Sequence, residues 1–257
     1  MGREILKMEN ISKSFPGVKA LDNVSFNAYE GEVMALLGEN GAGKSTLMKI
    51  LSGVYTKDTG KILLDGKEIE VLNPRDASSK GIAIIHQELN LIPNLTVYEN
   101  IFLGREETTT YKTLKKDYMI KEAKKLLDRL KVDIDPTLKI NEISIAKQQM
   151  VEIAKALSLN ASVIVMDEPT DTLTDKEVEI LFDVIRELKA ENKAIVYISH
   201  RLKEVFEICD RATVLRDGKF IDERLVSELD EDEIIKLMVG RTLDEQFPYL
   251  KAEANEY

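Results

Sequence analysis

Apolar residues fall into short continuous runs in some stretches of the chain and into helical stripes in others, and the two patterns alternate. Residues 33–37, 82–85, 163–166 and 195–199 are four or five positions long and rich in aliphatic and β-branched side chains. They read as buried strands. Between them, residues 177–188 place Ile180, Leu181, Val184, Ile185 and Leu188 on one helical face. Strand and helix in this rhythm predict an α/β fold with a mostly parallel sheet. Asp65-Gly66 and Asp217-Gly218 lie between extended residues and predict tight hairpins, which would add antiparallel strands at the sheet margins.

The middle of the chain departs from that rhythm. Across residues 97–159 the periodicity is mostly helical: Tyr118, Leu126, Leu127 and Leu130 form one stripe, and Met150, Ile153, Ala154 and Leu157 another. This predicts a helical subdomain inserted at about residue 88 to 160 into a domain spanning residues 1–240. Thr108 to Thr110 and Asp135-Pro136 are its expected loops. The stretch from Leu225 onward reads as one more helix, and residues 241–257 as a trailing linker.

Composition narrows the class. A chain of 257 residues with 44% hydrophobic and 32% charged content, but only 13 Gly and 6 Pro, has enough apolar material for a core and is not low-complexity. Its longest apolar runs are five residues, against about 20 needed to cross a bilayer. The single cysteine, Cys209, and the lack of an apolar leader in MGREILKMEN suit a reducing, cytoplasmic compartment. A net charge of −10 argues against a broad nucleic-acid footprint. Any polyanion must be held locally.

One segment is built for that task. Gly38-Glu39-Asn40-Gly41-Ala42-Gly43-Lys44-Ser45-Thr46 matches the phosphate-loop pattern, follows a predicted strand and opens an apolar-periodic segment. Its glycines let backbone N–H groups converge on a phosphate, and the following helix presents its positive end. Lys44 would reach the β- and γ-phosphates, and Ser45 would ligate Mg²⁺. The strand at 163–166 ends in Asp167 and Glu168, 123 residues beyond Lys44. It is expected to run beside the phosphate-loop strand, with Asp167 holding Mg²⁺ and Glu168 polarising the attacking water.

Gln87 after the strand at 82–85, Ser144 followed by Gln148-Gln149, Asp167-Glu168-Pro169-Thr170 and His200 after a further strand come in the order of an ATP-binding-cassette (ABC) ATPase. The segments IIHQELNLIPNLTVYENIFLGRE, KQQMVEIAKALSLN, MDEPTDTLTDKE and IVYISHRLKEVFEICD resemble the first half of the ATP-binding subunit of bacterial ribose and related monosaccharide importers. The resemblance implies that Phe15 stacks on adenine, that Gln87 touches Mg²⁺ and links nucleotide to the helical subdomain, and that His200 contacts the γ-phosphate region. His86 matches no family role.

The same resemblance exposes a departure. Where the family carries Leu-Ser-Gly-Gly-Gln, which acts on the opposing cassette, this chain has Ile143-Ser144-Ile145-Ala146-Lys147 and then Gln148, without either glycine. A weakened signature follows, since Ile145 and Ala146 add side chains where backbone should approach phosphate. The segment 171–174 also ends in Thr rather than Asp. The expected partners are a second ABC cassette, which the family carries in tandem beyond the 241–257 linker, membrane permease subunits, and indirectly a periplasmic sugar-binding protein. The expected place is the inner face of the cell membrane, held through the permease. The alternative is a soluble ABC ATPase or ATP sensor uncoupled from transport.

Overall fold

The computed structural model describes residues 2–109, 111 and 113–240. In chain order the strands are β1 (Glu4–Phe15), β2 (Val18–Tyr29), β3 (Val33–Leu37), β4 (Thr59–Leu64) and β5 (Lys67–Ile69). They continue as β6 (Ile82–Ile85), β7 (Val163–Asp167), β8 (Ala194–Ile198), β9 (Arg211–Arg216) and β10 (Lys219–Leu225). The helices are α1 (Lys44–Leu51), α2 (Pro74–Ser79), α3 (Val97–Ile101), α4 (Lys116–Arg129), α5 (Ile145–Leu157), α6 (Asp175–Ala190), α7 (Leu202–Ile208) and α8 (Glu231–Val239). A six-stranded sheet runs β10-β9-β3-β8-β7-β6, parallel except for β10, and a second, antiparallel sheet runs β2-β1-β4-β5.

The uninterrupted apolar strands have a simple cause: both faces of the six-stranded sheet are covered. Val33, Ala35 and Leu37 point into a core shared with α3 to α8, whereas Met34 and Leu36 point into one shared with α1, α2 and the antiparallel sheet. Ile195 and Tyr197 alternate with Val196 and Ile198 in the same way. Side chains point to opposite faces at every second residue, so a strand apolar throughout must be sandwiched.

Both Asp-Gly hairpins form, with φ of 55° and 71° at Asp65 and Gly66 and 52° and 72° at Asp217 and Gly218. Two consecutive positive φ values are what a right-twisted two-residue hairpin needs. The second hairpin joins β9 to β10 at the sheet margin. The first joins β4 to β5 in the separate antiparallel sheet, which the sequence reading did not anticipate. That sheet also contains β1 and β2, whose two-residue period is disrupted by register shifts between Met8 and Ile11 and by Asn10 at φ 53°.

The inserted helical subdomain consists of α3, α4 and α5. Thr96 caps α3 reciprocally with Glu99, the Thr96 N–H donating to Glu99 Oε2 at 2.9 Å. On α4 the buried stripe is Met119, Ala123 and Leu127, leading to Leu130, and not Tyr118, which is exposed. The phase is set one residue later because positions four apart, beginning at Met119, face α5 and the core. The C-terminal segment forms a 3₁₀ turn at Val226–Glu228 before α8, which starts at Glu231 because Asp230 and Glu233 make a capping box. The proposed linker, 241–257, lies outside the described residues.

Candidate active site

The loop from Leu37 to Lys44 is shaped by contacts that exclude side chains. Gly38 has φ 153°, and a Cβ there would sit 2.3 Å from the Leu215 carbonyl oxygen. Gly43, at φ 103°, is the N-cap of α1, and its Cβ would meet Leu21 Cδ2 at 2.7 Å and the Ala20 carbonyl oxygen at 2.9 Å. Helix α1 has neither a side-chain cap nor an acidic residue in its first turn. Its unpaired N–H groups therefore remain available to an anion. Lys44 Nζ donates to the carbonyls of Gly38 at 2.7 Å and Glu39 at 3.1 Å. Burial pushes its ammonium below the ordinary lysine value, while the Glu168 and Asp167 carboxylates oppose that shift.

Opposite the loop stand the carboxyl ends of β7 and β8. Strand β7 does not adjoin β3 as expected, because β8 lies between them and pairs with both. The crossover through α6 delivers β8 into that gap. Asp167 still opens on the same edge as the phosphate loop, since all carboxyl ends of a parallel sheet share one edge. At about 4.8 Å per strand, two steps separate β3 from β7 by roughly 10 Å, room enough for a triphosphate. Asn40, Gly41, Ala42, Gly43, Lys44, Ser45 and Thr46 line one side of a cleft of about 590 Å³, and Gln87, Asp167, Glu168 and His200 the other. Gly38 and Glu39 contribute through the carbonyls that hold Lys44.

Glu168 is the centre of the far side. Its backbone is held at φ 48°, and its N–H donates to the Ile198 carbonyl at 2.9 Å. Gln87 Nε2 donates to Glu168 Oε2 at 2.8 Å, and His200 Nδ1 lies 3.5 Å from Glu168 Oε1. Burial, followed by the neighbouring Asp171 carboxylate, raises the Glu168 carboxyl above its usual range, with His200 acting against it. Burial likewise raises Asp167, against the opposing pull of His86 and Lys44. Asp167 pairs in register with Ile198, two residues before His200, which is how one sheet edge brings both to the cleft.

Other predicted residues lie elsewhere. Phe15 ends β1, half-buried, with its ring edge-on to Tyr55 at 5.2 Å, and does not line the cleft described above. Ser144 caps α5, its hydroxyl accepting from the Lys147 N–H at 3.4 Å. Ile145 is 60% exposed beside it. Lys147 Nζ reaches the Asp133 carbonyl, and Gln148 Nε2 donates to the carbonyls of Ile140 and Ile143. None of the residues from Ser144 to Gln148, Ala146 included, lines this chain's own phosphate cleft. His86 is half-buried near Asp167 and Cys209 is buried, neither lining the cleft.

Ala20 in the cleft and Asp171 beside it carry no expectation from the sequence. Ala20 carries no chemical signal and arrives only through the fold of β2. Asp171 brings a carboxylate into a cluster with Glu168 and His200, whose ligand atoms lie within 4.8 Å of one another. Its place after Glu168-Pro169 was the available hint. The donors that face the phosphate loop fit a nucleotide: amide N–H groups and a lysine suit phosphate oxygens. Oxygen donors from Ser45, Gln87 and Asp167 suit a hard divalent cation.

The molecule is thus a phosphate-loop nucleotide-binding protein with a helical insertion between phosphate loop and acidic strand end. Residues 21–171 match the family model described as ABC transporter. A nucleotide-free ATP-binding cassette from an ABC transporter is 32% identical, with 93% of this chain and 96% of that chain covered and a TM-score of 0.78. The ATP-binding cassette MJ0796, solved as a dimer bound to ADP and phosphate, is 26% identical, covers 86% of this chain and 99% of its own, and gives 0.76. The cbiO1 protein from Clostridium perfringens, part of the cbiONQ ABC transporter complex, is 27% identical over 95% and 97% of the two chains, with a TM-score of 0.74. The chain belongs to the ABC transporter family, as an ATP-binding and ATP-hydrolysing cassette.

Proposed function

We propose that this cassette powers the import of a monosaccharide, ribose or a related sugar, through membrane permease subunits. The observation that carries the ATPase reading is the convergence of Lys44, Ser45, Gln87, Asp167, Glu168 and His200 on one cleft, which Ser144, Ile145 and Ala146 do not line. A signature that does not line its own phosphate cleft is left free to serve another cassette, and the dimeric MJ0796 relative supports that arrangement. The sugar assignment rests on the sequence segments around Gln87, Gln148, Asp167 and His200 and on their likeness to monosaccharide importers.

In this reading ATP lies with its phosphates along residues 38–46 and its base toward Phe15. Lys44 exchanges its carbonyl partners for phosphate oxygens. Ser45, Gln87 and Asp167 would hold Mg²⁺, which supplies charge neutralisation at the β- and γ-phosphates. Glu168 accepts a hydrogen bond from the attacking water and aims it in line with the bond to the leaving ADP oxygen. The raised affinity of Glu168 for a proton suits that task. His200 donates toward the γ-phosphate, and Gln87 conveys the change to the helical subdomain and permease. The opposing cassette closes the site with its own signature.

Removing Lys44 tests the cradle. An ammonium about 4 Å from phosphate contributes about 4 kcal/mol gross at an effective dielectric near 20, and surrendering two backbone hydrogen bonds costs about 1 kcal/mol each. Lys44→Ala should therefore weaken ATP binding by about 2 kcal/mol, roughly thirtyfold, in calorimetric titration. Unchanged affinity would remove the phosphate-loop assignment. For the sugar, the chain reconstituted in vesicles with permease, second cassette and binding protein should hydrolyse ATP faster when ribose is supplied; indifference to every pentose and hexose would refute it.

A further inference from the structure

Next to the segments that carry Glu168 and His200 lies a buried carboxylate that the mechanism above does not use. Glu204, on α7, is only 7% exposed. Its Oε2 accepts from Tyr197 Oη at 2.8 Å and from Ser199 Oγ at 2.9 Å. Thr170 Oγ1 donates to Oε1 at 2.9 Å and lies 3.1 Å from Oε2, and Arg201 Nη1 approaches Oε1 at 3.4 Å. Ser199 Oγ in turn accepts from the Arg201 N–H at 3.0 Å. Thr170, Tyr197 and Ser199 are themselves buried. Burial and the Glu204 charge drive the Tyr197 phenol far above its ordinary value, so it serves as a donor. Three hydroxyls turned inward can all donate to the acceptor oxygens of the one carboxyl group at their focus.

The donors come from two separate segments. Thr170 stands two residues beyond Glu168, and Ser199 stands immediately before His200. One carboxylate therefore ties the turn that carries Glu168 to the loop that carries His200. We infer that Glu204 is a positioning residue for hydrolysis, holding the Glu168 carboxylate and the His200 imidazole in mutual register through Thr170 and Ser199. The inference rests on the proposal that Glu168 and His200 act together on the γ-phosphate. Glu204 itself is not among the residues lining the phosphate cleft. The Gln87 bond to Glu168 adds a third tether, so Glu204 governs the His200 side of the couple more than the Glu168 side.

Glu204→Gln keeps the volume but replaces one acceptor oxygen by an N–H₂ that cannot accept, so the hydroxyls meeting that oxygen must reverse or release their bonds. In the full chain, single-turnover hydrolysis should fall at least tenfold while ATP affinity changes less than threefold, because the cradle of residues 38–46 is untouched. The chain has only two histidines, so their imidazole signals in an NMR spectrum are resolved individually. The His200 signal should move in Glu204→Gln and the His86 signal should stay. Thr170→Val with Ser199→Ala removes the two tethering hydroxyls, leaves the carboxylate in place, and should reproduce both effects; it decides the matter should Glu204→Gln fail to fold. Wild-type hydrolysis and an unmoved His200 signal in either folded variant would overturn the inference, as would parallel losses of turnover and ATP affinity. A wild-type chain that binds no ATP would instead sink the proposed function.

Discussion

Gly41 and Gly43 lie two residues apart in one loop, yet alanine should be tolerated very differently at them. Both have positive φ, 86° and 103°, so a Cβ costs about 1–2 kcal/mol at either position on backbone grounds alone. The surroundings then separate them. Nothing lies within 4 Å of a Cβ on Gly41, whereas a Cβ on Gly43 meets a leucine methyl at 2.7 Å and a backbone oxygen at 2.9 Å. The Leu21 methyl can rotate away, but the Ala20 carbonyl belongs to β2 and moves only with the strand. Forcing such a contact costs a further 1–3 kcal/mol or so. In a domain of this size each kcal/mol lowers Tm by about 2–4 °C. Gly43→Ala should therefore melt several degrees below Gly41→Ala in thermal denaturation followed by circular dichroism. Gly43 is also the N-cap of α1, so displacing it moves the N–H groups that would face phosphate. The larger loss of ATP affinity should fall on Gly43→Ala. Equal melting temperatures, or a larger loss at Gly41, would refute the claim that close approach to Ala20 selects glycine here.

Other outcomes follow from burial and from the altered signature. Glu152 on α5 is 4% exposed and its Oε2 lacks a hydrogen-bond partner among the described residues, so burial raises its carboxyl pKa despite Lys155 at 3.6 Å. The folded state binds that proton more tightly than the unfolded chain. Stability is fully present below the unfolded carboxyl value of about 4.3 and is lost as pH rises through the higher folded value. Glu152→Gln should raise Tm more at pH 8 than at pH 4, and equal gains would count against the linkage. The Cys209 thiol is pushed far up by burial, so iodoacetamide at pH 8 should label it only after denaturation; rapid labelling of folded protein would contradict its placement. Restoring glycine at both Ile145 and Ala146 should raise homodimer turnover about tenfold, and no gain would show that these side chains do not obstruct the opposing site.

Much of the site can be read from sequence because its chemistry is local. The phosphate loop packs its glycines, lysine and hydroxyl into nine consecutive residues, and Asp167-Glu168 terminates an apolar strand, so residue type and neighbours carry the message. Phe15 was reached only through family likeness, and the structure gives it an aromatic neighbour in Tyr55 that no local pattern announced. The failures also have physical reasons. Strands β1 and β2 were obscured by bulges that shift the two-residue period, and the α4 stripe was misphased by one position at Tyr118.

By itself the sequence determined the strand cores, both Asp-Gly hairpins, the helical insertion and the loop residues that line the cleft, since each is set by side-chain period, φ preference or short-range spacing. Tertiary structure alone decided that β8 separates β3 from β7, that Ala20 joins the cleft, that Asp171 meets His200, and that Glu204 gathers a hydroxyl from Thr170 together with those of Tyr197 and Ser199. Those choices depend on which strands pair and how crossovers pass, and they bring together residues far apart in the chain, such as Glu204 and Thr170, 34 positions apart. Short-range patterning cannot encode such distances, because strand order is selected by the packing of the whole sheet.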